Sequence, residues 1–274
     1  MHIGVRITPA MDPSVAGLAR KAEEIGFDSV WLSERVAVPL GGQHPYDPSI
    51  DPWIGLAYVA AVTSRVKLGT CVSQIALRHP MIMARQLATL DRLSGGRVIV
   101  GAGAGWVIEE FTTTGVDYDT RGGRLAEHVQ AMRRIWAEPE KGWDGKHFQI
   151  APAETLRPLT PGGPPIFIGA SNALGVRRAA LYGDGYLSVG LKPEQLAGVI
   201  PGIRARRLEA GHSEHFPVYC QVSPPESVED GRELVRSYRD AGVDGLVLAE
   251  PMGKSNGFPA DDAVSRAVLE EAAT

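Results

Sequence analysis

Eight short runs of β-branched and aliphatic residues alternate along this chain with stretches of helical periodicity, and no other feature restricts the possible folds as much. The runs are Ile3 to Ile7, Ser29 to Leu32, Lys67 to Val72, Arg97 to Ala102, Ile166 to Gly169, Gly185 to Val189, Phe216 to Gln221 and Gly245 to Leu248. Asp12 and Pro13 form a helix start ahead of Val15, Leu18, Ala19, Ala22 and Ile25, and Gly26 ends that helix. A second helix covers Trp53 to Thr63. A third opens at Pro80, faces one side with Ile82, Leu87, Leu90 and Leu93, and stops at Gly95 and Gly96. Further helices carry Leu125, Val129, Met132 and Trp136, then Ala173 to Tyr182, Pro193 to Ala210, Ser227 to Ala241, and a last one to about Ala272.

Strict alternation implies a parallel sheet, because each strand must return through a crossover helix to pair in the same direction. Eight such units in 274 residues favour an α/β chain closed into a (β/α)8 barrel, a single domain over 1–274 with insertion segments at the carboxyl face. The active site of such a barrel is built from the loops at the carboxyl ends of the strands, here after Ile7, Leu32, Val72, Ala102, Gly169, Val189, Gln221 and Leu248. Segments 36–49, 103–119 and 138–165, the last the longest irregular stretch and rich in Pro and Gly, are long enough to wall or cover that face, or to cover barrel edges or an oligomer contact.

The charge balance excludes two partner classes. With 28 Lys and Arg against 32 Asp and Glu, the formal charge of −4 offers no basic excess for nucleic acid or an acidic membrane. A hydrophobic fraction of 44% with 22% charged residues argues against disorder. The two cysteines, Cys71 and Cys220, are too few for a disulfide scaffold or a thiolate cage, which points to a reducing compartment. The start MHIGVRITPA has no secretory pattern, and no apolar run approaches the ~18 residues of a membrane span, so a cytoplasmic location is expected.

Two turns are candidates for ligand contact. Gly101-Ala102-Gly103-Ala104-Gly105-Trp106 follows the fourth strand, where missing side chains let backbone amides approach a phosphate or a flat ring. It is not a dinucleotide fingerprint, because Trp106 stands where glycine is required. Gly169-Ala170-Ser171-Asn172 leads from the fifth strand into a helix, so Ser171 or Asn172 is an N-cap and the first-turn amides favour an anion. The two turns are neighbours in a barrel and together point to one phosphorylated ligand. The histidines show no metal-ligand spacing; His212 and His215 share a polar turn, and His44, His79, His128 and His147 lack paired acidic partners. No metal is expected. No nucleophile elbow occurs, Cys71 at a strand end defaults to a small buried side chain, and Arg177 and Arg178 fall on a solvated helix face.

The run from Arg78-His79-Pro80 through Leu87-Ala88-Thr89-Leu90-Asp91-Arg92-Leu93-Ser94-Gly95-Gly96-Arg97 to Gly101–Trp106 and Glu109-Glu110-Phe111 resembles the signature stretch of the bacterial luciferase-like monooxygenase family. Pro165-Ile166-Phe167-Ile168-Gly169-Ala170-Ser171 with Arg178-Ala179-Ala180 and Gly183-Asp184-Gly185 is similar to its second block, and Leu68–Val72 and Val30–Arg35 resemble its third and second strands. The resemblance implies an enzyme on a TIM barrel, an oxidoreductase holding FMN or the deazaflavin F420 at its carboxyl face. It also implies that Cys71-Val72 is a non-prolyl cis peptide against the ring. Ala104, Gly105, Gly169, Ala170, Ser171 and Asn172 match phosphate-holding positions, and Gln74 and Glu34 match positions near the ring.

This chain departs from the family where chemistry is done. Dehydrogenating relatives place Asp-His or Glu-His after the second strand; here Glu34-Arg35 stands, and arginine accepts no proton near neutral pH. Arg35 either binds an anionic substrate or pairs with Glu34. Trp106 replaces the catalytic glutamate of the sugar-phosphate dehydrogenases and suits an uncharged or aromatic substrate. The resulting expectation is an F420-dependent oxidoreductase moving a hydride between the ring and a small organic substrate, with Glu34 and Arg35 at the reacting end and Trp106 in the substrate pocket. The alternatives are an FMN-dependent monooxygenase supplied by a separate reductase, and a non-catalytic flavin or F420 carrier. The resemblance also implies a homodimer.

Overall fold

The computed structural model describes residues 1–7, 15–38, 49–213, 215–250 and 262–274. From the amino end run β1 (His2–Arg6), α1 (Val15–Ile25), β2 (Ser29–Leu32), α2 (Pro52–Val62), β3 (Lys67–Thr70), α3 (Pro80–Ser94) and β4 (Val98–Ala102). Next come α4 (Ile108–Thr114), α5 (Arg121–Ala137), a two-stranded hairpin of β5 (Trp143–Asp144) and β6 (Gln149–Ile150), β7 (Ile166–Gly169) and α6 (Ala173–Tyr182). The chain ends with β8 (Gly185–Val189), α7 (Pro193–Glu209), β9 (Val218–Val222), α8 (Val228–Asp240), β10 (Gly245–Leu248) and α9 (Asp262–Ala273). Eight strands close in the order β1-β2-β3-β4-β7-β8-β9-β10, every neighbouring pair parallel. The fold is therefore the (β/α)8 barrel expected from the alternation.

Side chains fill the barrel interior, so the site can only be at a rim. Trp31, Ile99, Phe167, Leu187, Tyr219 and Val247 form one buried inner cluster. Glycines make that possible: a Cβ at Gly4 or Gly69 would collide with the Trp31 ring, and one at Gly245 would lie 2.8 Å from Tyr219. The larger aliphatic core lies between the strands' outer faces and the helices. At the amino-terminal rim, Asp28, Asp184 and Asp244 accept from the amides of Ile3, Ile166 and Val218 at 2.7, 2.8 and 2.8 Å, closing the ends of β1, β7 and β9.

Local signals explain the helix limits. Asp51 accepts from the Trp53 and Ile54 amides ahead of Pro52, and Gly95, at φ 71°, ends α3. The helix start assigned to Asp12 and Pro13 lies outside the described residues, as does 39–48 of the loop after β2. Three expectations need correction. Ile82 and Leu93 are exposed, at 56% and 73%; α3 instead buries Met83, Ala84, Leu87, Ala88 and Leu90. The 103–119 segment contains α4, so the described residues hold nine α-helices rather than eight. Segment 138–165 is not wholly irregular, since Trp143 and Asp144 pair with Ile150 and Gln149.

Candidate functional site at the barrel mouth

β3 ends at Thr70, and the Cys71–Val72 peptide bond that follows is cis, as the resemblance implies. Val72 then leans across the mouth between the two glycine turns. A Cβ at Gly103 would lie 2.5 Å from Val72 Cγ2, and one at Gly169 would lie 2.5 Å from Val72 Cγ1. Glycine at both positions is thus required for Val72 to occupy this place. The turns singled out after the fourth and fifth barrel strands are brought together, since Gly101 pairs with Phe167 and Ala102 with Ile168.

Behind Val72 lies a buried polar network. Glu34, 4% exposed, accepts from Ser73 Oγ at 3.0 Å, from the Gln74 amide at 2.6 Å, and from both terminal nitrogens of Arg78. Trp53 Nε1 donates to Ser73 Oγ at 3.1 Å, and Arg78 also reaches Asp51 at 3.2 Å. Burial works against the Arg78 charge, yet Glu34 and then Asp51 hold its pKa above the ordinary value. Glu110, at 0% exposure on α4, forms the second centre: it accepts from Arg35 Nη1 at 2.8 Å, the Val36 amide at 2.7 Å and Gln74 Nε2 at 2.9 Å. The expected pairing of Arg35 with Glu34 is therefore corrected. Adjacent side chains on an extended segment diverge, and each meets a partner from another element.

Gln74 spans the two centres, and its Oε1 is buried without a hydrogen-bond partner. That oxygen faces the Gly105 turn, where φ is 81° and a Cβ would lie 2.6 Å from it. The Phe111 ring packs on the same side of Gly105, 2.9 Å from where a Cβ would stand, and an unmatched buried acceptor at such a turn is the chemistry expected where a ligand supplies the missing donor.

The floor of the mouth is set by Cys71, whose thiol donates to Gln221 Oε1 at 3.1 Å, and by Arg6 beside it. Burial pushes the Cys71 thiol pKa up, outweighing the Arg6 guanidinium that works to lower it. Trp106 is 52% exposed above this floor, with the Arg35 guanidinium carbon 5.3 Å from its ring centroid. At the start of α6, Asn172 is the cap: its Oδ1 accepts from the Gly175 amide at 2.8 Å, while Ser171 stays exposed. Arg177 is exposed as expected, but Arg178 is half-buried over Gly122, so it does not lie on the solvated face.

Sequence reasoning gave no role to Arg6, Arg78, Glu110 or Gln221. The first is a charged residue inside a β-run, an available signal; the others act through contacts across many residues. Among the described residues, no cluster of three or more His, Cys, Asp or Glu could hold a metal ion, and no helix is long and apolar enough to cross a membrane.

The sequence description of the luciferase-like monooxygenase family matches residues 10–273. The F420-dependent glucose-6-phosphate dehydrogenase of Kineococcus radiotolerans is 34% identical over 207 residues, covering 73% of this chain and 60% of that relative. Two solved structures share the fold. An F420-dependent secondary alcohol dehydrogenase in complex with an F420-acetone adduct superposes with a TM-score of 0.84 at 20% identity, covering 99% of this chain and 98% of that one. A monooxygenase from Streptomyces bottropensis does so with a TM-score of 0.78 at 23% identity, covering 98% and 97%.

Proposed function

The chain belongs to the luciferase-like monooxygenase family and is an oxidoreductase, and from that premise we propose that it works with F420, moving a hydride between the deazaflavin and a small organic substrate. The observation that carries this reading is the buried, unmatched Gln74 Oε1 at the Gly105 turn, beside the Val72 ledge between Gly103 and Gly169. These residues fit a flat heterocycle with a phosphorylated tail. Cys71, Val72 and Gln74 would meet the ring, and Ala104, Gly105, Gly169, Ala170, Ser171 and Asn172 would hold the phosphate. The choice of F420 over FMN is supported by the 34% identical relative named for that coenzyme. Bound there, a deazaflavin supplies a ring carbon that gives or takes a hydride and reacts poorly with oxygen.

The chain's own residues orient and exclude water. Glu34 receives four donors, and so holds the Ser73 hydroxyl, the Gln74 amide and the Arg78 guanidinium in place behind Val72. Arg35 is held by Glu110 and reaches the Trp106 ring, so both serve the pocket wall. Glucose 6-phosphate, named for the relative, is not the substrate proposed here: the resemblance puts a glutamate where Trp106 stands, and an exposed indole favours an apolar or aromatic group.

A homodimer is part of the same proposal. Helix α2 is apolar on all sides, and Ile54 at 75% and Tyr58 at 52% exposure lie open; α3, which packs against α2, carries exposed Ile82. A helix hydrophobic all round is a buried helix, and a second copy of this chain would bury it. An Ile54→Lys, Tyr58→Asp protein that runs as a monomer by light scattering, where the parent runs as a dimer, is the expected result.

Turnover separates the cofactors. Reduced F420 should be reoxidised by an organic acceptor without oxygen. Oxygen-dependent turnover of reduced FMN from an added reductase would replace this reading with a monooxygenase.

A further inference from the structure

Arg6 closes β1 two residues beyond Gly4, on the face that looks into the barrel at its mouth. It is 3% exposed. Its Nη2 donates to the main-chain oxygen of Glu250, its guanidinium approaches the Cys71 thiol, and its Nε has no acceptor. A permanently charged group shielded from water is ordinarily matched by an opposite charge. Among the described residues none is supplied. Glu34 is committed to Arg78 and Glu110 to Arg35, Glu250 offers Arg6 a carbonyl, and burial keeps the Cys71 thiol protonated.

We propose that Arg6 is the anion-binding residue of the mouth, holding a planar oxyanion of the bound reactants, and that the substrates are organic acids whose carboxylate meets this guanidinium. The proposal rests on the reading of the mouth as the active site. A guanidinium presents a flat fork of donors that matches a carboxylate, with Nε and one terminal nitrogen as its paired edge. Trp106 would cover the apolar remainder of the acid, so the preferred class is an aromatic or bulky apolar carboxylate. The same fork would also suit an oxyanion on the cofactor's own pyrimidine ring, a second source of the same chemistry.

The test uses benzoate and its neutral isostere benzamide as probes, titrated by calorimetry into the purified full-length protein with and without F420. Benzoate should bind about tenfold or more tightly than benzamide. Arg6→Gln should abolish that preference, and Arg6→Lys, which keeps a point charge, should restore part of it. The wild-type comparison of the two probes needs no variant, so poor folding of Arg6→Gln leaves the test intact. Equal binding of benzoate and benzamide would overturn the organic-acid assignment. If, in that case, Arg6→Gln weakened reduced F420 about tenfold more than oxidised F420, the anion-binding role would stand with the ring as its source. Equal probe binding with no effect on either cofactor form would overturn the role itself. Failure of the wild type to bind any flavin or deazaflavin would instead overturn the cofactor reading, while the probe preference could still be read on the protein alone.

Discussion

Arg35 Nη1 donates to Glu110 Oε2 at 2.8 Å, joining the loop after β2 to α4 across 75 residues of sequence. Because Glu110 is fully buried and also receives Val36 and Gln74, deleting its carboxylate strands several donors together. Glu110→Ala should destabilise the protein by about 3–5 kcal/mol, the usual cost of breaking a buried pair from one side. Urea denaturation measures this. A loss below about 1 kcal/mol would show that the pair behaves like a surface ion pair.

The pairing also marks where sequence reasoning stops. Strands Ser29–Leu32, Ile166–Gly169, Gly185–Val189 and Gly245–Leu248 are found with the bounds expected from their apolar runs, because a buried parallel strand carries its signal locally. Both glycine turns were legible for the same reason. Hydrophobicity alone points Ile82 and Leu93 inward, but α3 already has an inward stripe of Met83, Leu87 and Leu90, and the two extra apolar residues fall outside it. The partners of Arg35 and Arg78 depend on which elements meet in space, and adjacent Glu34 offered a nearer choice that geometry does not allow. Arg6 is a charged residue within a β-run, and what it faces inside the barrel appears only once the sheet closes around it.

Acid should destabilise this protein through His128. Its ring is buried on α5, edge-on to Phe148 with centroids 5.6 Å apart, and neither nitrogen is hydrogen-bonded. Burial, then the nearby charges of His79, Arg124 and Arg78, pushes its pKa down to about 3. The folded state therefore prefers the neutral ring. The contribution is fully present above the unfolded value near 6.5 and is lost as pH falls toward 3. On the order of 2–3 kcal/mol should be gone by about pH 4.5. Melting temperatures from pH 8 to 4.5 should fall less steeply for His128→Phe than for the parent, and parallel curves would refute the assignment.

Ser171 tests the phosphate anchor without disturbing the fold, because it is exposed and Asn172 does the capping. Ser171→Asp should leave the melting temperature within about 2 °C, since surface changes away from caps alter little. It should weaken F420 binding about tenfold or more by placing like charge against the phosphate. Unchanged affinity in a fluorescence titration would move the phosphate elsewhere.

The central claim is that a flat cofactor lodges on the Val72 ledge at the carboxyl end of the barrel. A crystal structure of the protein soaked with F420 addresses it directly. The ring is expected against Cys71–Val72, with Gln74 Oε1 paired and the phosphate at Gly105 and Ser171. A ring bound anywhere else, or a mouth that stays without cofactor at saturating concentration, would contradict the account.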